Sequence, residues 1–179
     1  EGVEESRIYV VGNTIVDSVY QNIELANKKI DMLTKLNLER EKYFLLTAHR
    51  QENTDSKERL SDILKGLELV HSKYKLPIIY PMHPRTKKMI EQFDLKIPNS
   101  VTVLEPLSFL EFLQLEANAK LVITDSGGIQ EETCILKVPC VTIRDNTERP
   151  ETLEIGSNIL AGVNPEKILE CVDLMFNKE

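Results

Sequence analysis

Apolar residues in this chain alternate between two patterns. Short, nearly unbroken apolar runs occupy residues 43–47, 77–80, 101–104, 120–124, 139–143 and 157–161. Runs of that length, bounded by polar and turn-forming residues, predict strands buried on both faces. Between them, apolar positions recur at the three- and four-residue spacing of helices. Leu60, Ile63, Leu64, Leu67 and Val70 mark one such face over 57–74. Pro84, at an early helical position where proline is tolerated, opens another over 84–93. Ser108 and Glu111 stand at capping-box spacing before a helix to about 117. Further helices are predicted over 128–136 and, opened by Asn164-Pro165, to about 176. Ahead of all these, residues 7–11 form a short strand-like run ending at Gly12. Ile15, Val19, Ile23, Ala26, Ile30 and Leu33 then predict one long helix from 13 to about 36.

Strands that alternate with helices through mostly short connections predict an α/β fold. The expected form is a Rossmann-like parallel sheet of about six strands with helices on both faces. A length of 179 residues suits one domain with a sizeable core. The chain starts Glu1-Gly2-Val3-Glu4 without an initiator Met, so it is expected to be a piece of a longer protein. The net charge of −7 is spread over interspersed acids and bases. That argues against a general partner among nucleic acids or anionic membranes, and leaves a small anionic ligand open. No apolar run approaches membrane-spanning length. Cys134, Cys140 and Cys171 form no C-x-x-C pair, and an odd number of scattered thiols fits a reducing, cytoplasmic setting.

In a parallel sheet the loops after the strands open on one carboxyl edge, where such folds bind ligands. Here those loops carry 48–53 with His49 and Arg50, 83–85 with His83 and Arg85, 105–108, 125–128, and 144–151 with Arg144 and Arg149. They can converge as a cationic patch on an acidic protein, suited to a diphosphate. The turn Ser126-Gly127-Gly128 leads from an apolar strand into a helix that bears Glu131 and Glu132. Such a turn aims backbone N–H groups and the positive helix end at a phosphate. A carboxylate one turn further on can accept from sugar hydroxyls. Each residue also has an ordinary role open to it. His49 can satisfy a strand end, His83 can cap a helix, Arg85 can be surface charge, and Arg144 and Arg149 can pair with nearby acids. No H-E-x-x-H or His/Cys cluster points to a metal, and Ser126 lacks the G-x-S-x-G context of a nucleophile.

Four motifs, in order and spacing, resemble the non-hydrolysing UDP-N-acetylglucosamine 2-epimerases: Thr47-Ala48-His49-Arg50-Gln51-Glu52-Asn53, Tyr80-Pro81-Met82-His83-Pro84, Asp125-Ser126-Gly127-Gly128-Ile129-Gln130-Glu131-Glu132 and Arg144-Asp145-Asn146-Thr147-Glu148-Arg149-Pro150-Glu151. Val11 to Asp17 looks like that family's interdomain junction. The resemblance implies the C-terminal half of a two-domain GT-B fold. Residues 1–12 would be the end of the N-terminal domain and the junction, and residues 13–179 the UDP-binding domain. It implies interconversion of UDP-N-acetylglucosamine and UDP-N-acetylmannosamine by elimination and re-addition of UDP, with no cofactor. It further implies a homodimer when full-length.

By the same resemblance His49 is the catalytic histidine near the leaving diphosphate, and Ser126, Gly127, Gly128, Glu132 and Arg149 bind UDP. Glu132 would take the ribose hydroxyls and Phe109 would contact uracil. Arg50 and His83 would contact the second, activating UDP-N-acetylglucosamine of bacterial members. The family's acids for proton transfer at C2 lie in the other domain, so the chain alone is expected not to epimerise. Two alternatives stand beside this reading: the donor-binding half of a GT-B glycosyltransferase, and a non-catalytic UDP-sugar sensor.

Overall fold

Strands β1 (Phe44–Thr47), β2 (Ile78–Pro81), β3 (Val101–Leu104), β4 (Leu121–Thr124), β5 (Cys140–Thr142) and β6 (Asn158–Leu160) form one parallel sheet. Their order is β3-β2-β1-β4-β5-β6. The computed structural model describes residues 2–177; Glu1, Lys178 and Glu179, at the outer ends of the two expected segments, lie outside the described residues. The apolar runs are unbroken because alternate side chains feed two cores. Phe44, Leu46, Ile78, Tyr80, Leu121 and Ile123 face one layer. Tyr43, Leu45, Ile79 and Val122 face the other. Only the edge strand β3 departs from this, with Thr102 and Val103 exposed.

Helices α1 (Ile15–Lys29), α2 (Met32–Leu36), α6 (Phe109–Asn118) and α7 (Gly127–Leu136) belong to one face, with α1 packed on α6 and α7. On the other face α4 (Lys57–Tyr74) packs closely on α9 (Pro165–Phe176). Gly66 marks that contact, since a Cβ there would lie 2.8 Å from Ile168 Cδ1. Shorter helices α3 (Gln51–Thr54), α5 (Pro84–Gln92) and α8 (Pro150–Glu154) sit in the connections.

Three local expectations are corrected. Residues 7–11 are not a strand: a 3-10 turn at Glu5–Arg7 is followed by exposed residues, with Val10 98% exposed. A strand needs a partner ladder, and none of the six strands pairs with this segment. The single helix over 13–36 is two. Gln114 accepts from Met32 N at 2.7 Å and donates to Ile30 O at 2.6 Å, which supplies at the break the bonds a continuous helix would have made. Asp31 then caps α2 by accepting from Thr34 N. Finally, the polar stretches 48–53 and 144–151 contain the one-turn helix α3 and the start of α8.

The strand order reverses direction between β1 and β4. Ligands bind in open α/β sheets beyond the carboxyl ends of the strands at such a switch point. The loops there are those after Thr47 and Thr124.

Candidate functional site

Asp125 organises the switch point. It is fully buried, and its carboxylate accepts from His49 N at 3.0 Å, Arg50 N at 2.9 Å and Asn53 Nδ2 at 3.1 Å. Asn53 also donates to Ile143 O, so the ends of β1, β4 and β5 are tied through one buried acid and one buried amide. Beneath them Thr47 and Thr124 share a hydroxyl hydrogen bond of 2.6 Å. Tyr80 and Thr86 both donate to Ala48 O, so β2 and α5 fix the same loop. The backbone of His49 is therefore rigidly held, while its ring is 45% exposed with Nε2 3.9 Å from Asp125 Oδ1.

Helix α7 starts at Gly127 with Ser126 as N-cap, and the Ser126 side chain makes no capping bond. The first-turn amides therefore take no capping bond from Ser126. Neither Gly127 nor Gly128 has a positive φ. A Cβ on either would meet only ordinary contacts, 3.7 Å to Glu148 Oε2 from Gly127 and 3.9 Å to Ser126 Oγ from Gly128. Neither chain conformation nor internal packing demands glycine here; two glycines leave the first turn of the helix without side chains of its own.

Cationic groups border that helix end. Arg50 Nη2 lies about 4.0 Å from a Cβ built on Gly127 and 4.0 Å from Glu148 Oε2. Arg149 Nε lies 2.8 Å from Glu131 Oε2, with the arginine side chain 34% exposed, and Asn13 Nδ2 donates to the other Glu131 oxygen. Arg144 is different. It is buried, with Nε on Glu52 and Nη1 and Nη2 on Glu148. The hydrogen bond from Arg144 holds the Glu148 carboxyl down at about 2. Arg144 is thus a structural clamp of the 144–151 loop rather than a free member of the cationic patch, because its charge is already matched by two carboxylates. Arg85 likewise forms a surface pair with Asp55.

A cleft of about 360 Å³ opens beside these groups and is lined by His49, His83, Phe109, Phe112, Ile129 and Glu132, among others. Its size lies at the lower end of small-ligand sites. His83 does two things: its Nδ1 accepts from Arg85 N as the α5 cap, and its ring walls the cleft. Phe109 is 46% exposed at the start of α6, which a Ser108–Glu111 capping box holds in place. The Glu132 carboxyl is raised above the ordinary range, first by burial and then by the Glu131 charge, while a hydrogen bond with Glu116 pulls it back.

The structure thus gathers His49, His83, Phe109 and Glu132 around one cleft, and sets Arg50 and Gly127 side by side at the start of α7. Arg149 sits on that helix through Glu131. Sequence reasoning missed Asp125, Asn53 and Gln130 as organisers. Gln130 is fully buried and accepts from Thr147 Oγ1 and Asn158 Nδ2, which anchors the 144–151 loop. The available signal was their polarity beside apolar strand ends, where buried amides and acids must find partners. Among the described residues no group of three His, Cys, Asp or Glu is placed to hold a metal, and no helix is long and apolar enough to cross a membrane.

The sequence model of the UDP-N-acetylglucosamine 2-epimerase family matches residues 1–179. A Methanocaldococcus jannaschii UDP-N-acetylglucosamine 2-epimerase is 51% identical over 185 aligned positions, covering 100% of this chain and 50% of the relative. A Methanococcus maripaludis protein of the same description is 52% identical, covering 98% and 50%. Among solved structures, the Methanocaldococcus jannaschii UDP-GlcNAc 2-epimerase in complex with UDP-GlcNAc and UDP superposes with a TM-score of 0.90 at 52% identity, over 99% of this chain and 50% of that one. A more distant likeness, to Escherichia coli heptosyltransferase WaaC at 16% identity and TM-score 0.54, speaks to the GT-B-like fold alone. The chain spans about half the length of the curated relatives it matches. It belongs to the UDP-N-acetylglucosamine 2-epimerase family and corresponds to the C-terminal half of its members.

Proposed function

We propose that this chain is the UDP-binding half of an enzyme that interconverts UDP-N-acetylglucosamine and UDP-N-acetylmannosamine. The observation that carries the reading is the bare N-terminus of α7, with Arg50 and Arg149 on its flank and the Glu132 cleft beside it. A diphosphate fits the amides of Gly127 and Gly128 with the Ser126 hydroxyl, and Arg149 supplies charge-assisted bonds on leaving its partner Glu131. Ribose hydroxyls fit the Glu132 carboxylate, and uracil fits against Phe109. The bound state of the Methanocaldococcus jannaschii relative supports this choice of ligand.

In the reaction, a base takes the proton from C2 of the sugar as the C1–O bond breaks. The electron pair of that bond leaves with UDP, and a C1=C2 double bond forms. Re-addition of UDP at C1, with a proton delivered to the opposite face of C2, gives the epimer. Negative charge grows on the leaving diphosphate, and fixed amides and Arg149 stabilise it where it appears. His49, held by Asp125 and facing the cleft, lies where it can assist that departure by charge or proton transfer. The C2 base belongs to the other half of the protein, so the 179-residue chain binds UDP without turning over the sugar. Arg50 and His83 meet a second UDP-N-acetylglucosamine at the domain boundary, and the full-length protein is a homodimer. Three free cysteines support a cytoplasmic setting.

The test is incubation of full-length protein with UDP-N-acetylglucosamine and identification of the product. UDP-N-acetylmannosamine is expected. Sugar transfer to an added acceptor would make it a glycosyltransferase, and binding without turnover would make it a sensor. Epimerisation by the purified chain alone would refute the placement of the C2 base in the other half.

A further inference from the structure

We propose that Glu116 is a positioning residue of the nucleotide site: its carboxyl group donates a hydrogen bond to Glu132 and so aims that carboxylate at the ribose hydroxyls. The inference rests on the UDP reading of the cleft.

Glu116 lies on α6 and is 0% exposed. Among the described residues, no N–H or hydroxyl donor reaches either of its buried oxygens. A carboxylate in that position would be an unpaired buried charge, costly enough that the group takes up a proton instead. The acid next to it is Glu132, across the contact between α6 and α7, and each carboxyl shifts the other's proton affinity. Two carboxylates cannot bond to each other, so one of the pair must be an acid. Glu116 is the deeper member, and burial followed by the Glu132 charge pushes its carboxyl well above the usual range. Glu132 lines the cleft, and the bond from Glu116 draws it toward the ionised form. One member is therefore a fixed donor and the other an acceptor with lone pairs free for two vicinal hydroxyls. A purely structural role would be better served by leucine at this site, since a dry acid adds desolvation without adding packing.

The other groups facing the pair do not supply the missing donor. Glu131 acts on Glu132 only by repulsion. Cys140, behind Glu116 on β5, has its thiol pushed up to about 12 by burial, and Cys134 lies near it on α7. On the packed helix α1 the charged residues Asp17, Glu24, Lys28 and Lys29 are all exposed. Glu111, the other acid of α6 besides Glu116, is engaged with Ser108 and Lys35.

The experiment measures the affinity of this chain for UDP and for 2′-deoxy-UDP between pH 5.5 and 8.5 by calorimetry. The ratio of the two cancels the titration of the diphosphate. In the unmodified chain the ratio favours UDP, falls on the acid side as Glu132 takes up a proton, and falls again on the alkaline side as Glu116 gives up its own. Glu116→Leu removes the donor, so the acid fall moves to higher pH and the preference at pH 7 shrinks by about tenfold. Glu116→Gln keeps a donor that cannot ionise; its preference stays within about twofold of the unmodified chain at neutral pH and is flat on the alkaline side. A Glu116→Leu chain with an unchanged pH profile and preference overturns the proposal. Should that variant fail to fold, a Glu116→Gln chain that still loses preference on the alkaline side, as the unmodified chain does, overturns it instead. Absence of UDP binding, or binding indifferent to Glu132→Ala, overturns the UDP reading of the cleft itself and this inference with it.

Discussion

Asp125 and Glu116 are both 0% exposed acids beside the candidate site, yet their surroundings are opposite. Asp125 accepts from two backbone amides and a buried asparagine, and each of those donors belongs to a loop that must be held. Among the described residues Glu116 has no amide or hydroxyl donor, only another acid that lines the cleft. The lesson is that burial alone says little about an acid. Donors around Asp125 make it a structural tie, whereas their absence around Glu116 makes it a proton carrier coupled to a ligand group.

The largest effect should come from breaking the tie. Asp125→Ala leaves three buried or half-buried donors unpaired and releases the His49 loop. The expected loss is on the order of 3–5 kcal/mol. Thermal melting should show it as a fall on the order of 10 °C for a domain of this size. Next is Arg149→Ala, which removes the proposed charge-assisted partner of a diphosphate. UDP affinity, read by calorimetry, should weaken by about 10- to 100-fold, and melting should fall as well, because the 11% exposed Glu131 loses its guanidinium partner and, among the described residues, keeps only Asn13.

Glu116→Gln tests the other side of the contrast through stability rather than binding. The folded-state carboxyl of Glu116 is raised, so the folded chain holds a proton that the unfolded chain has released. Stability of the unmodified chain is therefore eroded by this group as pH rises above the ordinary glutamate range. Glutamine removes the erosion. Denaturant titration at pH 8 should find the variant more stable by about 1–3 kcal/mol, with the gap closing toward pH 4. The smallest effect is expected of Arg85→Ala. Its pair with Asp55 is about two-fifths exposed on both sides, and the loss should stay below about 1 kcal/mol.

Much of this was legible in the sequence because apolar runs and helix spacing report burial directly. All six strands lie where the runs place them, and the Ser108–Glu111 capping box forms as its spacing implies. Failures occurred where tertiary partners overrule local pattern. Gln114 breaks the helix over 13–36 from more than 80 residues away, which no local window can reveal. Arg144 reads like Arg149 in sequence, but Glu52, 92 residues away, joins the neighbouring Glu148 in holding it. The Gly127-Gly128 turn was legible as a phosphate signal; what the sequence could not show is that neither glycine is required by backbone or packing. Glu116 gave no signal, because an acid in an amphipathic helix looks like a solvated one until its neighbours are known.

The central claim is that the carboxyl edge at the β1–β4 switch point is a UDP site complete within this half of the protein. Two-dimensional amide NMR of the chain titrated with UDP tests it most directly. Saturable shifts are expected at Gly127, Gly128, Ile129, Glu132 and His49, with Arg149→Ala falling short of saturation at the UDP concentration that saturates the unmodified chain. Saturable shifts confined to another surface, or none at millimolar UDP, would contradict it.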